Sequence, residues 1–374
     1  MGKVKRRRKV IKVILTGGHA GATAYALIQE LRESKSVSWD INWVGPAKAL
    51  EGRKVPTFEK VVFPKIDIEF IPIIAGRVQR KFSFWTIPSL LKIPLSFTHA
   101  LIILLKVKPK IIVSFGGYAS FPVVFIGWLL GVPSLVHEQT SSFGMANRYS
   151  SHFATRIALG RAQSAKYFPR DKSVITGNPV SKEVRNLMPR KKIGNPPIIF
   201  VTGGSRGSEF INETINNILP RLLNKFRVIH QVGINGLSRF QNIRASLPTA
   251  LREKYEVYGL VEPWNWTSLL SKADIVVSRA GANIVSEIMV VKIPSILIPI
   301  PWSYKNEQKE NALYARGFGI AKILEQKNLT PENLYKEIDF MAKNWDYFVS
   351  KVGRKQSPDI FAATKLVELI KEYI

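Results

Sequence analysis

Cysteine is absent from the 374 residues of the chain, so a disulfide framework and a metal site built on thiolates are both excluded. The sequence also contains no Asp-x-Asp pair and no group of histidines and carboxylates with the spacing of metal ligands. We therefore expect no metal site and no bound cofactor.

Long apolar runs are also missing. The most apolar stretches, 93–105 and 121–136, are shorter than the roughly 20 residues that span a bilayer, and prolines and glycines interrupt them. The basic opening, MGKVKRRRKVIKVIL, has only a short apolar run and no small-residue cleavage pattern. The sequence predicts a basic tail leading into a first strand, and no transmembrane segment.

Acidic residues are scarce. The chain has 27 Asp and Glu against 55 Lys and Arg, a formal net charge of +28. This excess predicts attraction to nucleic acid, an anionic membrane or phosphorylated substrates. No nucleic-acid recognition motif accompanies the charge, so we do not expect nucleic acid as a partner.

Short β-branched runs alternate with helical patterns along the whole chain. The runs VIKVIL, INWVG, IEFIPI, PKIIVSF, PSLVHE and RIALG are followed by a second series that begins at PPIIFVTGG. Such alternation is typical of parallel sheets, and the length predicts two domains. We expect an α/β fold of two Rossmann-like lobes, 10–180 and 181–357, with a C-terminal helix over 358–374 that can pack back on either lobe.

Glycine-rich turns follow several of these runs: TGGHAG, SFGGYAS, TGGSRGS and SRAGANIVSE. In parallel α/β sheets, ligands bind beyond the carboxyl ends of the strands, and such turns followed by a helix suit an anion such as phosphate. His19 lies in the first turn; alternatively, the glycines serve only tight geometry and the histidine is solvated. None of the turns has the pattern of a dinucleotide site or a P-loop, which disfavours those two classes.

The order of these motifs resembles the MurG family of glycosyltransferases. TGGHAG, SFGGYASFP, GVPSLVHEQTSSFGMANR, GNPV, TGGSRGS, HQVG, ADIVVSRAGANIVSEI and NEQKENA have the family's order and rough spacing between Val10 and about Ile370. The resemblance implies the GT-B architecture, with an active site between the two lobes. It also implies inverting transfer of N-acetylglucosamine from UDP-N-acetylglucosamine to the C4 hydroxyl of the MurNAc of lipid I, which forms lipid II for peptidoglycan.

Three rival functions stay open: a GT-B enzyme with another lipid acceptor, a UDP-sugar epimerase, and a non-catalytic UDP-sugar-binding membrane protein. The third is kept open by departures from the family pattern. Thr140 stands where the family has a donor-contacting asparagine, and Ser181 where it has an arginine near the diphosphate. Lys182 or Arg206 can replace that arginine's charge.

Inverting transfer requires a general base and stabilisation of the departing diphosphate. The resemblance makes His19 a candidate for the base or for a group that orients donor and acceptor. Glu138, at a strand end, is the other candidate base, and its alternative role is a helix cap or a structural ion pair. For the diphosphate we expect the first and third glycine turns, with the contacts Thr16, Gly17, Gly18 and Ser205.

The resemblance also implies the remaining substrate contacts. Glu287 matches the carboxylate that accepts from the ribose hydroxyls, and Gln308 the glutamine that reads the sugar. Val261 matches a position that reads uracil through its backbone, and Tyr118 an acceptor-side tyrosine. The donor-binding segment also includes Ala282, Asn283, Ile284, Val285 and Ser286.

The segment 75–108 interleaves cations with aromatic and aliphatic residues, a pattern typical of a helix that lies in a membrane interface. The contacts we expect there are Arg80, Lys81, Phe82, Phe84 and Trp85. An ordinary core helix is the alternative. Together with the resemblance, this segment predicts a peripheral protein on the cytoplasmic face of the cell membrane, bound to an anionic surface.

Overall fold

The computed structural model describes residues 10–18, 20–34, 37–48, 56–76, 86–204 and 207–374. It divides into two compact units: the chain up to Ser181 together with Phe361–Ile374, and Lys182–Ile360. Each unit has one parallel sheet with helices between successive strands, seven-stranded in the first and six-stranded in the second. The predicted α/β class with two Rossmann-like units is confirmed.

The strands of the first unit are β1 (Val10–Thr16), β2 (Ser38–Gly45), β3 (Glu69–Pro72), β4 (Ile111–Ser114), β5 (Ser134–Glu138), β6 (Arg156–Leu159) and β7 (Ser173–Ile175). Its helices are α1 (Gly21–Glu33), α2 (Phe58–Val62), α3 (Thr86–Val107), α4 (Ser120–Leu129) and α5 (Met145–Ser150). The strand order is β3-β2-β1-β4-β5-β6-β7, so the order reverses between β1 and β4. Ligands bind at such a reversal in open parallel sheets.

The strands of the second unit are β8 (Ile198–Thr202), β9 (Arg227–Gln231), β10 (Tyr255–Tyr258), β11 (Ile275–Ser278), β12 (Ser295–Leu297) and β13 (Ala321–Ile323). Its helices are α6 (Lys182–Arg185), α7 (Glu209–Asn216), α8 (Leu219–Lys225), α9 (Leu237–Ser246), α10 (Thr249–Arg252), α11 (Pro263–Lys272), α12 (Ala282–Val291), α13 (Glu307–Phe318), α14 (Pro331–Lys343) and α15 (Trp345–Val352). In this sheet the order β10-β9-β8-β11-β12-β13 reverses between β8 and β11.

The central strands are buried along their whole length because helices cover both faces of each sheet. Every residue of β4, β5 and β11 is buried. Two edge strands, β7 and β13, are not among the runs recognised in the sequence. Each has only three residues, too few to show a hydrophobic pattern in the sequence. Each becomes a strand by pairing with the neighbouring strand of its sheet.

The last helix, α16 (Ala362–Lys371), belongs to the first unit. Leu366 and Ile370 pack in the same apolar cluster as Val13 of β1 and Leu27 of α1. The hydroxyl of Thr364 also donates to the carboxylate of Glu30 at 2.7 Å. The chain therefore returns to complete the core of its first unit.

Candidate active site

In the first unit, two glycine turns meet where β1 and β4 end. The amide of Gly18 donates to the carbonyl of Gly116 at 2.9 Å. Gly117 has φ +94°, and a β-carbon there would lie 2.8 Å from the amide nitrogen of Gly18. The close approach of the two backbones therefore requires glycine at 117.

The predicted contacts in the first turn differ in their surroundings. Thr16 and Gly17 are buried and Gly18 is partly exposed. The hydroxyl of Thr16 has no hydrogen-bond partner within the described part of the chain. His19 lies outside the described residues.

The N-terminus of α1, which the sequence suggested as a phosphate site, meets a carboxylate of the protein itself. The amide of Ala20, the residue before the helix, donates to Glu59 at 2.9 Å, and Glu59 is 2% exposed. The ring of Phe58 occupies the space that a side chain at Gly21 would need. Any diphosphate contact at this turn must therefore use amides other than that of Ala20.

Glu138 lies at the end of β5 and is 2% exposed. One carboxylate oxygen accepts from the amide and the hydroxyl of Thr140, at 3.1 and 2.8 Å. The other accepts from the amide of Gly144 at 2.8 Å and from the side chain of Asn147 at 2.9 Å. This arrangement suits a structural acceptor that shapes the loop after β5. Of the two alternatives raised from the sequence it resembles the helix cap, because Gly144 directly precedes α5, and not the ion pair, because none of these donors is a cation.

The neighbours of Glu138 are also held by hydrogen bonds. His137 is buried, and its Nε2 lies 3.2 Å from the carbonyl of Gly177. Asn147 donates to the carbonyl of His137 as well as to Glu138. Asn147 belongs to the quoted motif GVPSLVHEQTSSFGMANR, but the sequence gave no reason to select it. Tyr118, the expected acceptor-side residue, is partly buried against the apolar cluster of α3 and α4.

In the second unit, hydrogen bonds fix the start of the turn after β8 and the helix α7 that follows it. The amide of Gly204 donates to the hydroxyl of Thr202 at 3.0 Å. Asn212 donates to the carbonyl of Val232 and contacts His230, whose pKa is lowered to about 3 by burial. The first contact ties Gly204 to the end of β8, and the others tie α7 to β9 and the residue after it. Ser205 and Arg206 lie outside the described residues.

Arg279 follows β11 and joins two loops beside this turn. Its Nε donates to the hydroxyl of Ser208 at 3.1 Å, and Nη1 donates to the carbonyl of Ile298 at 3.2 Å. Burial lowers the pKa of Arg279 to about 10. The guanidinium lines a pocket of about 540 Å³ together with Gly203, Gly207, Glu213, Ile300 and Trp302.

The predicted donor segment forms the first two turns of α12, and the helix places its side chains in both buried and partly exposed positions. Ala282, Val285 and Ser286 are buried, and Ser286 donates back to the carbonyl of Ala282. Asn283, Ile284 and Glu287 are partly exposed. Only these three side chains are therefore available for contact from solvent.

Glu287 has one protein donor: the indole Nε1–H of Trp266 on α11 donates to Oε2 at 2.8 Å. Burial raises the pKa of Glu287 to about 8, and the hydrogen bond from Trp266 acts in the opposite direction. Trp266 was not singled out in the sequence, because an aromatic residue on a helix ordinarily indicates core packing.

Gln308 and Val261 are the other residues of the second unit that we expect to contact the donor. The side-chain oxygen of Gln308 accepts from the amide of Ile300 at 3.1 Å, so its amide nitrogen is the group left to donate. Val261 is 8% exposed, consistent with a position that would act through its backbone. Asn311, which the sequence did not single out, is 1% exposed and donates to the carbonyl of Ala280.

The described residues lack two kinds of feature. They contain no group of three or more His, Asp or Glu side chains arranged to hold a metal ion. They also contain no helix that is both long enough and apolar enough to cross a membrane. The expected membrane contacts Arg80, Lys81, Phe82, Phe84 and Trp85 lie outside the described residues.

Comparison with protein families matches both units. Residues 10–159 match the glycosyltransferase family 28 N-terminal domain, and residues 198–366 match the C-terminal domain of the same family. A relative from Bacillus thuringiensis (strain Al Hakam) is 30% identical over 341 residues, which are 89% of this chain and 92% of the relative. It is named UDP-N-acetylglucosamine–N-acetylmuramyl-(pentapeptide) pyrophosphoryl-undecaprenol N-acetylglucosamine transferase 3. A relative from Clostridium botulinum (strain Kyoto), named as a transferase of the same kind, is 29% identical over 371 residues, 97% of this chain and 99% of the relative.

Solved structures share the fold. MurG from Acinetobacter baumannii superposes with a TM-score of 0.66 at 22% identity, covering 97% of this chain and 99% of that one. A UDP-GlcNAc 2-epimerase from Neisseria meningitidis, bound to UDP-GlcNAc, superposes with a TM-score of 0.63 at 15% identity, covering 97% and 100%. At these identities the likeness extends to the fold alone.

Proposed function

The chain belongs to glycosyltransferase family 28, and from this premise we propose that it transfers N-acetylglucosamine from UDP-N-acetylglucosamine to the C4 hydroxyl of the MurNAc of lipid I, forming lipid II. The observation that carries the proposal is the near full-length match to relatives named for this reaction. The matches extend over both units, so they include the segments expected to bind the donor and those expected to bind the acceptor.

The rival functions have weaker support. The epimerases share only the fold, at identities well below those of the named transferases. A non-catalytic role was suggested by Thr140 and Ser181, but Thr140 has a defined place as a donor to Glu138. The hydroxyl therefore has a structural function in the loop after β5.

For the chemical step, we assign the general base to His19 and a positioning role to Glu138. A base must be able to take a proton from the attacking hydroxyl. Glu138 is buried, and each of its oxygens already accepts two hydrogen bonds from the chain. Imidazole is the side chain whose ordinary pKa lies near neutral pH, so His19 suits the role better.

The donor contacts proposed for the second unit are the partly exposed positions on α12, which are Asn283, Ile284 and Glu287, and the side-chain amide of Gln308. The first N–H groups of a helix have no acceptor within the helix itself, so the N-terminal turn of α12 favours the diphosphate. Glu287 lies one turn further along and would accept from the ribose hydroxyls. The buried Ala282, Val285 and Ser286 would support this helix without touching the donor through their side chains.

For the membrane, we propose that the outer face of α3 enters the lipid interface on the cytoplasmic side. Leu91, Leu95, Ile102 and Leu105 recur at helical spacing and are all more than half exposed. Trp128 at the end of α4 is also half exposed, and the exposed Lys106, Lys108 and Lys110 follow the stripe. Apolar side chains bordered by cations fit an anionic lipid surface.

The deciding experiment is transfer of radiolabelled sugar from UDP-N-acetylglucosamine to a lipid I analogue in detergent with excess chelator. Labelled disaccharide lipid would establish the reaction and its independence of metal. The same lipid I analogue should be validated with A. baumannii MurG. Saturable donor binding without product would contradict the proposal and favour another acceptor or a non-catalytic role, whereas isomerised UDP-sugar would indicate an epimerase.

A further inference from the structure

Trp266 connects the core of the second unit to a carboxylate near its ligand-binding edge. Its indole ring packs edge-on against Phe200 of β8, with ring centroids 5.2 Å apart and planes at 63°. Phe200 is fully buried, so the ring has a rigid neighbour. From this position the Nε1–H reaches Oε2 of Glu287 at 2.8 Å.

This hydrogen bond determines which part of the carboxylate is left for a ligand. A carboxylate has about four lone-pair sites on two oxygens, and Trp266 uses one of them. Within the described part of the chain, Oε1 of Glu287 has no donor. The free lone pairs are therefore held in one orientation.

We propose that Trp266 is a positioning residue for the ribose of the nucleotide: by holding Oε2 of Glu287, it orients the carboxylate to accept hydrogen bonds from both vicinal hydroxyls. The inference rests on the proposed function, since it takes the nucleotide of a UDP-sugar as the ligand. The indole donor also favours the ionised carboxylate against the effect of burial on its pKa. Trp266 would thus act through Glu287 and make the site selective for a ribose that carries both hydroxyls.

The test compares UDP with 2′,3′-dideoxy-UDP by calorimetric titration of the full chain in detergent. Trp266→Phe keeps an aromatic ring against Phe200 and removes the donor. We expect it to weaken UDP binding roughly fivefold, as loss of one supporting hydrogen bond predicts, and to change dideoxy-UDP binding by less than about twofold. Trp264→Phe, an exposed position on the same helix, is the matched control and should leave both affinities unchanged.

One further variant keeps the test decisive if Trp266→Phe folds poorly, and a double variant checks that Trp266 acts through Glu287. Benzothienylalanine at position 266 keeps the shape of the indole and replaces N–H by sulfur, so it should reproduce the selective loss. In a Glu287→Ala background, Trp266→Phe should cause no further loss of UDP affinity.

Equal losses for both nucleotides would overturn the inference, because Trp266 would then act by packing or by direct contact. An unchanged UDP affinity in the benzothienylalanine variant would overturn it as well. A native chain that binds UDP and dideoxy-UDP equally would remove the ribose role of Glu287 while leaving the transferase intact. A native chain that binds neither would overturn the proposed function itself.

Discussion

Glu59 accepts a hydrogen bond from the backbone amide of Ala20, at 2.9 Å and almost fully shielded from solvent. Ala20 immediately precedes α1, so the carboxylate lies at the positive end of the helix. The chain thus supplies its own anion where a ligand phosphate was a reasonable expectation. It also fixes the residue that directly follows His19, the proposed base.

The first prediction concerns this cap. Glu59→Gln keeps an oxygen acceptor and removes the negative charge, so we expect the free energy of unfolding to fall by about 1 kcal/mol. Glu59→Ala also leaves a buried amide without a partner and should cost about 2 kcal/mol. UDP affinity, measured beside denaturant unfolding, should stay within about twofold of the native value. Strongly weakened UDP binding at unchanged stability would instead place the donor at this helix end.

Much of this site could be anticipated from sequence, and the rest depends on contacts between distant segments. Glycine turns after apolar runs indicate where parallel strands end, because that pattern is local. The pairing of Glu59 with Ala20 is not local: it spans 39 residues, and a glutamate on a short helix ordinarily indicates a solvated face. The same holds for Trp266, which reaches Glu287 across 21 residues.

Helix geometry explains a second difference between sequence and structure. The motif GANIVSE predicts a continuous donor-binding run, but a helix turns successive side chains by about 100°, which buries Ala282, Val285 and Ser286. A motif therefore identifies a segment, and the fold decides which of its side chains are accessible.

The second prediction concerns the contact between the two glycine turns of the first unit. Gly117→Ala places a β-carbon against the amide of Gly18 at a positive φ, so it should destabilise the chain by about 3 kcal/mol and lower the transfer rate. Gly131 also has a positive φ, +69°, but has nothing within 4 Å of its added β-carbon. Gly131→Ala should therefore cost only about 1 kcal/mol and retain activity. Similar unfolding energies for the two variants would show that the close approach is unimportant.

The third prediction separates a structural from a catalytic role of Glu138. Glu138→Gln puts an NH₂ group against the backbone amide of Thr140 or that of Gly144, so at least one hydrogen bond from a backbone amide must break. We expect a loss of about 2 kcal/mol in the free energy of unfolding, with kcat falling in parallel. Thermal unfolding and transfer rate should be measured on the same preparation. A large fall in kcat at native stability would return Glu138 to the role of base.

The fourth prediction concerns the apolar stripe on α3. Leu91→Ser combined with Ile102→Ser removes two side chains that are 69% and 63% exposed. If both enter the lipid interface, binding to anionic phospholipid vesicles should weaken by about 3 kcal/mol, or roughly a hundredfold. Met188→Ser with Ile234→Ser, at exposed positions of the second unit, is the control and should sediment with vesicles like the native chain. Equal sedimentation of both double variants would contradict the membrane assignment.

The fifth prediction follows from the pKa of Glu287, which burial raises from 4.5 to about 8. Between these values the folded chain keeps a proton that the unfolded chain has lost, so the stability contributed by the neutral carboxyl falls as pH rises through this window. Glu287→Gln removes that dependence, and its unfolding temperature should decline less than the native one between pH 6 and about pH 8.5. Ionisation also supplies the stronger acceptor for ribose hydroxyls. The native chain's UDP affinity, relative to that of Glu287→Gln, should therefore increase over the same range. Parallel pH profiles for the two proteins would show that Glu287 does not titrate between pH 6 and about pH 8.5, which would contradict this prediction.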